Sequence, residues 1–226
     1  MSEPKNQEWA IAVQATRRAA AFYFIVRGFL RHVIMRWLRL RKRGLEHLDL
    51  DGPVILAPVH RSNLDSLVVA SVCNRRLRAL GKQSLFKPKP VAWINSALGA
   101  IPVKRGEADR EAMRAAREVI GQGEMMIVFP EGTRQIGNKV EGVFDGTAYL
   151  ANKTGAPIIP IGIAGTGAAL PSGAKFIRRV QCAVVVGEPM APPEGRLSRP
   201  ALSEFSAGVS ARLQEVFDEA QSLAIR

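Results

Sequence analysis

Cysteine is scarce in this chain. Cys73 and Cys182 are the only two in 226 residues, they lie far apart in apolar surroundings, and no metal-ligand spacing surrounds them. Neither a disulfide framework nor a zinc site has support, and both thiols are expected to be buried and reduced. Acidic residues are missing altogether from positions 9–43. The same segment has no long hydrophobic run: its longest, 19–26, ends at Arg27 and falls far short of the ~20 residues needed to span a bilayer. No Gly-x-Ser-x-Gly sequence occurs, which disfavours a covalent serine route. The polar start through Gln7 leads into no clean apolar stretch with a small-residue cleavage site. No cleaved leader is therefore expected, and a cytoplasmic location is the default.

What the chain has in abundance is positive charge. Lys and Arg number 32 against 20 Asp and Glu, a formal net charge of +12, so the partner is expected to be anionic: nucleic acid, anionic lipid or a phosphorylated small substrate. Charge alone does not choose among them. A chain of this length, 47% apolar, can bury a sizeable core and favours one domain with a helical appendage. The appendage is residues 1–43, where Arg17, Arg18, Arg27, Arg31, Arg36, Arg39, Arg41, Lys42 and Arg43 punctuate an aromatic and aliphatic background. It reads as an amphipathic interfacial helix or helical pair for membrane association. Phe22, Tyr23, Phe24, Phe29, Trp37 and Leu38 can sink among acyl chains while the arginines meet lipid phosphates, each contributing ~1 kcal/mol near an anionic surface. The competing reading is a helix packed on the body of the protein with a solvated basic face.

Residues 44–226 have the pattern of an α/β domain. Apolar runs at 54–57, 125–129, 158–165 and 180–187 predict strands, and their near-continuous apolarity suits a mostly parallel sheet covered on both faces. Helices are predicted over 66–73, 108–120, 147–154 and 202–223, the last reached through a Pro-rich connector at 189–200.

Three elements carry candidate chemistry. In His60-Arg61-Ser62-Asn63-Leu64-Asp65, directly after the first predicted strand, His60 stands at a strand's carboxyl end, where open α/β sheets place ligands. On one regular helix His60 and Asp65 would point ~140° apart. With His60 before the helix and Asp65 in its first turn, the carboxylate can fold back to the imidazole. There it fixes the tautomer and leaves the other ring nitrogen free to take a proton from a substrate hydroxyl. Ser62-Asn63-Leu64-Asp65 equally fits a capping box in which the acid only closes the helix start. Phe129-Pro130-Glu131-Gly132-Thr133-Arg134 follows another strand: Pro130 and Gly132 permit an abrupt turn, and Arg134 offers a fork suited to phosphate. Glu131 and Arg134 could also form a local ion pair. Gly99-Ala100-Ile101-Pro102-Val103-Lys104-Arg105 places two cations after a short apolar piece, as a second hold on phosphate or as solvated surface. His32 and His47 read as structural or solvated.

Taken in chain order, 60–65, 99–105, 129–134 and then Ile158-Ile159-Pro160-Ile161-Gly162, these blocks resemble the glycerolipid acyltransferases typified by lysophosphatidic acid acyltransferase. The resemblance runs over roughly residues 44–193. It implies that family's α/β fold, a mostly parallel central sheet flanked by helices, with residues 1–43 as the membrane-binding segment and 44–226 as the catalytic domain. It implies His60 as general base and Asp65 as its orienting acid. Arg105 and Arg134, with Lys104 beside them, match the phosphate-holding positions; Glu131, Gly132 and Thr133 match the acceptor site; Ile159, Pro160 and Ile161 match the acyl-chain environment. The chain departs from the family pattern at Val59, where Asn is common, at Lys104, where Asp is common, and at Phe144-Asp145-Gly146, which lacks a preceding basic residue.

The implied reaction transfers an acyl group from an acyl thioester, acyl-CoA or acyl carrier protein, to the free hydroxyl of 1-acylglycerol 3-phosphate, giving phosphatidic acid. No metal or other cofactor is expected. The expected partners are an anionic membrane surface, a lysophospholipid acceptor and the thioester donor, at the cytoplasmic side of the cell membrane as a peripheral or monotopic protein. Another lysophospholipid or lipid alcohol as acceptor remains open. A nonenzymatic basic module for nucleic acid would leave the ordered blocks without a role, and no nucleic acid is expected.

Overall fold

In strand β2 the side chains alternate between two cores, and this alternation explains why its sequence is apolar without interruption. A computed structural model describes residues 3–103, 109–195 and 197–225. The chain opens with helices α1 (Glu3–Gln14) and α2 (Arg17–Phe29), and α2 continues through a π turn (Leu30–Ile34) into α3 (Met35–Trp37). There follow β1 (Arg41–Arg43), β2 (Val54–Pro58), α4 (Asp65–Val72), β3 (Leu77–Lys82), α5 (Lys89–Ala97), β4 (Ala100–Val103) and α6 (Asp109–Gly121). The remainder is β5 (Met125–Ile127), α7 (Gly146–Thr154), β6 (Ile158–Ala164), α8 (Thr166–Ala169), β7 (Ala183–Val186) and α9 (Arg199–Ile225).

Among the described residues the strands form one seven-stranded sheet in the order β1-β7-β6-β2-β5-β3-β4. Only the β6–β7 pairing is antiparallel; every other pairing is parallel. Val54 and Leu56 of β2 join Ile159 and Ile161 in a core closed by α4 and α9, with Met35 and Leu38 reaching in from the N-terminal segment. Ile55 and Ala57 face the other way, with Met126 and Ile158, onto Ala116 and Ile120 of α6 and Leu150 of α7. Burying each such aliphatic side chain stabilises the fold by about 1.5–3 kcal/mol, which is why β2 and β6 carry no polar face. Helix α9 lies directly on β6: a Cβ on Gly162 would stand 2.0 Å from the Val216 carbonyl oxygen, so only glycine permits this approach.

The expected mostly parallel α/β sheet is therefore present, and the four anticipated strands and four anticipated helices all form, with ends shifted by a few residues. Strands β1, β3 and β4 and helices α5 and α8 were not anticipated. Strand β1 falls at the end of the basic segment, and its register with β7 pairs Arg41 with Ala183 and Arg43 with Val185. Backbone pairing holds it at the sheet edge, where its side chains need not be apolar.

The N-terminal segment divides its residues between two tasks. Phe22 packs on Trp93 at a ring-centroid distance of 5.3 Å, Tyr23 is buried with its hydroxyl accepting from Leu77 N–H, and Leu38 is buried in the core. Tyr23 and Leu38 are enclosed by the fold and Phe22 is half-buried, whereas Phe24, Phe29 and Trp37 are exposed. Arg27 donates to the Cys73 and Asn74 carbonyls, and Arg31 to the Ser71 carbonyl. They serve the carboxyl end of α4, where orphan carbonyls and the helix dipole favour a cation. Arg41 donates to the Leu223 carbonyl and Arg43 pairs with Glu219. Arg17, Arg18, Arg36, Arg39 and Lys42 are exposed. Among the described residues no helix is long and apolar enough to cross a membrane.

Both cysteines are free and buried, as expected, and burial pushes each thiol up to about 12. His47 meets the Val186 carbonyl at 3.0 Å, a structural contact, and His32 is exposed.

Candidate active site

Four adjacent parallel strands, β6, β2, β5 and β3, end at one edge of the sheet, and the loops leaving them surround a cleft of about 1010 Å³. His60 and Arg61 enter from the loop after β2, Thr133 and Arg134 from the turn after β5, Gly165 and Thr166 from beyond β6, and Leu80 and Lys82 from β3.

Asp65 folds back as its spacing suggests. Its buried carboxylate meets His60 Nδ1 through Oδ2 at 3.2 Å, and the same oxygen accepts from the backbone N–H of Arg61 at 2.6 Å and of Ser62 at 2.7 Å. The contact with the imidazole and the contacts that close the helix start thus share one oxygen. The other half of a capping box is absent, because Leu64 occupies the N-cap without a side-chain bond and the Ser62 hydroxyl accepts from Leu64 N–H while donating to the Leu170 carbonyl. A carboxylate only accepts, so Nδ1 carries the hydrogen and Nε2 is left as the acceptor on a ring that borders the cleft. The ring plane is set by stacking on Phe129, with centroids 3.9 Å apart and planes inclined by 23°.

The second Asp65 oxygen accepts from the Thr166 hydroxyl at 2.6 Å. Thr166 is fully buried and lies 101 positions along the chain. It was not a candidate from sequence. Nothing local marks a threonine whose partner arrives through tertiary folding. Together the donors hold a buried charge that would otherwise be costly.

Glu131 does not form the local ion pair with Arg134. It is buried, both its oxygens lie 2.8 Å from Arg61 Nη1, and Oε2 also accepts from the His60 backbone N–H at 2.8 Å. It pairs with Arg61, not with Arg134, and it ties the turn after β5 to the histidine loop. Arg61 extends the clamp: it donates to the carbonyls of His60, Gly137 and Lys139 and lies 4.8 Å above the Phe217 ring of α9. The Gln135 N–H adds a bond to the His60 carbonyl. Gly132 takes φ +65°, a left-handed conformation that makes the abrupt turn anticipated there. Gly132, Thr133 and Arg134 are exposed, and Thr133 and Arg134 border the cleft beside His60.

Ile159, Pro160 and Ile161 lie in the sheet interior, where Ile159, Pro160 and Ile161 pair with Leu56, Ala57 and Pro58. The cleft is bordered instead by the following residues of that strand, Ile163 and Ala164. Lys104 and Arg105 lie outside the described residues. Among the described residues no group of His, Cys, Asp and Glu is arranged to hold a metal ion.

A family model described as Acyltransferase matches residues 39–164. A chloroplastic 1-acyl-sn-glycerol-3-phosphate acyltransferase of Brassica napus is 30% identical over 138 residues, 60% of this chain and 40% of that protein. The 1-acyl-sn-glycerol-3-phosphate acyltransferase of Pseudomonas aeruginosa is 28% identical over 215 residues, 88% of this chain and 79% of that one. This chain spans less than half the length of the plant relatives it matches. The crystal structure of the 1-acyl-sn-glycerophosphate (LPA) acyltransferase PlsC from Thermotoga maritima superimposes with a TM-score of 0.69 at 25% identity, covering 92% of this chain and 86% of the other.

Proposed function

The chain belongs to the acyltransferase family, and from that membership and the geometry of the cleft we propose that it acylates 1-acylglycerol 3-phosphate to phosphatidic acid, with an acyl thioester, acyl-CoA or acyl carrier protein, as donor. The observation that carries this reading is the His60–Asp65 pair at the carboxyl edge of the sheet, beside a cleft bordered by Arg134. The relatives named for this acceptor support the choice of substrate.

In the proposed cycle His60 Nε2 takes the proton of the acceptor hydroxyl. The oxygen attacks the thioester carbonyl, the C–S bond breaks as the C–O bond forms, and His60 returns the proton to the departing thiolate. Asp65 stabilises the imidazolium formed in between. Arg134 holds the acceptor phosphate, joined by Arg105 and Lys104. Glu131 acts through the backbone of His60 and is a positioning residue. The cleft volume of about 1010 Å³ suits the polar end of a lysophospholipid. In this reading the exposed faces of α2 and α3 rest on an anionic membrane at the cytoplasmic side of the cell membrane, and the enzyme is peripheral or monotopic.

The test is release of free thiol from acyl-CoA in the presence of 1-acylglycerol 3-phosphate, with a panel of other lysophospholipids alongside. Acceptor-dependent release by the wild type and its loss in His60→Ala is the expected result. Release with another headgroup alone would move the acceptor, and no release with any member of the panel, from acyl-CoA or acyl carrier protein, would end the reading.

A further inference from the structure

Phe176 is 83% exposed, the most exposed aromatic among the described residues. It sits in the loop 171–179 between α8 and β7, flanked by exposed Lys175, Arg178 and Arg179. Packing does not account for it, because its neighbour Ile177 turns inward onto the core. The loop is held in place by that anchor and by the Arg178 N–H bond to the Ala169 carbonyl, so Phe176 is presented outward by a fixed base.

Two further observations say what it faces. Arg179 lies 5.5 Å from the Trp37 ring at the end of α3, so the carboxyl end of the loop meets the exposed face of the N-terminal helices. On that face Ile25, Phe29, Val33 and Trp37 are all exposed at steps of four residues. Such a stripe drifts around an α-helix, and the extra residue per turn in the π segment at Leu30–Ile34 reduces that drift. Neither 9–43 nor 166–187 contains an acidic residue. Aromatic and aliphatic groups among cations, with no acid between them, complement a uniformly anionic lipid surface better than a protein of mixed charge. At its other end the loop borders the cleft through Pro171 and Ser172.

We propose that loop 171–179 is a second lipid-inserting element, with Phe176 entering the acyl region and Lys175, Arg178 and Arg179 meeting anionic headgroups. It sets the mouth of the His60 cleft against the bilayer, so that a lipid acceptor reaches the base without leaving the membrane. The proposal rests on the membrane reading of α2 and α3.

The experiment measures sedimentation of the full chain with vesicles of phosphatidylcholine, with and without phosphatidylglycerol. Wild type binds the anionic vesicles, F176S lowers the partition coefficient about fivefold to tenfold, and K175Q/R178Q lowers it further and removes the salt dependence in proportion. A second measurement places an environment-sensitive label on F176C. Cys73 and Cys182 are buried and protonated, so the label goes to position 176, and its emission shifts blue when anionic vesicles are added. If W37S weakens binding while F176S binds like wild type and the label does not respond, the loop proposal is overturned and the helical contact stands. If wild type binds no vesicle, the underlying membrane reading fails and this one with it. A label that responds to an acidic carrier protein and not to vesicles overturns the proposal in favour of a protein partner.

Discussion

Arginine behaves differently in the two regions where it matters most. Around the cleft Arg61 is enclosed, with its nitrogens directed at Glu131 and three carbonyls, and it holds the histidine loop in one geometry. Along the N-terminal helices Arg27 and Arg31 close the end of α4, while Arg36 and Arg39 are exposed. Arg61 thus serves rigidity beside the cleft, while the arginines of the helical segment are divided between rigidity and surface charge. A cation's role follows from which carbonyls and carboxylates the fold brings to it, and composition cannot disclose that.

The largest effect expected from breaking the cleft side is with His60→Ala, which lowers kcat by about 10²–10⁴-fold without loss of folding by circular dichroism. Asp65→Asn follows. Turnover falls by about 10²-fold or more while the helix start survives; full turnover in a folded protein would leave Asp65 as a helix closure only. Thr166→Val removes the donor to Asp65 Oδ1 and leaves that oxygen unpaired, a loss of about 1–3 kcal/mol read as a lower denaturant midpoint. As a positioning residue it should lower kcat roughly tenfold with KM unchanged, and Thr166→Ser should restore both. An unchanged kcat in the valine variant would reduce Thr166 to a packing residue.

On the helical side the contrast is sharpened by pairing Arg31→Gln with Arg36→Gln. The first removes a bond to the carboxyl end of α4 and should lower stability by about 0.5–1.5 kcal/mol. The second should leave the thermal midpoint unchanged and weaken anionic vesicle binding about fivefold. If the two variants exchanged these outcomes, the division of labour read from the hydrogen bonds would be wrong. The smallest effect is a null: with thiols pushed up to about 12 by burial, Cys73 and Cys182 should resist alkylation at neutral pH until denaturant is added.

The legible part of the fold was the part whose signal is local. Strand β2 and strand β6 announce themselves because both sheet faces are covered, and α9 repeats apolar residues at helical spacing, Val209, Leu213, Val216, Phe217 and Ala220. Strands β1 and β3 carry Arg41, Arg43 and Arg78, whose side chains find Leu223, Glu219, Gln14 and Glu124 only after folding. Their backbones pair by register, which leaves no hydrophobic pattern to read. In the site, the spacing of His60 and Asp65 was informative because five residues with a turn at one end can close on themselves. Glu131 was visible as a residue but not in its direction, since its partner Arg61 lies 70 positions away.

Chain order alone therefore carries the α/β class, the histidine and its acid, and the turn at Gly132, because each depends on neighbours within a few bonds. The buried Arg61–Glu131 clamp, the Thr166 hydroxyl on Asp65, and the sorting of arginines into helix caps and surface charge were decided by tertiary structure. Each of those needs groups from distant strands to be desolvated together at one edge of the sheet, and a hydrogen bond between such groups has no trace in the local sequence.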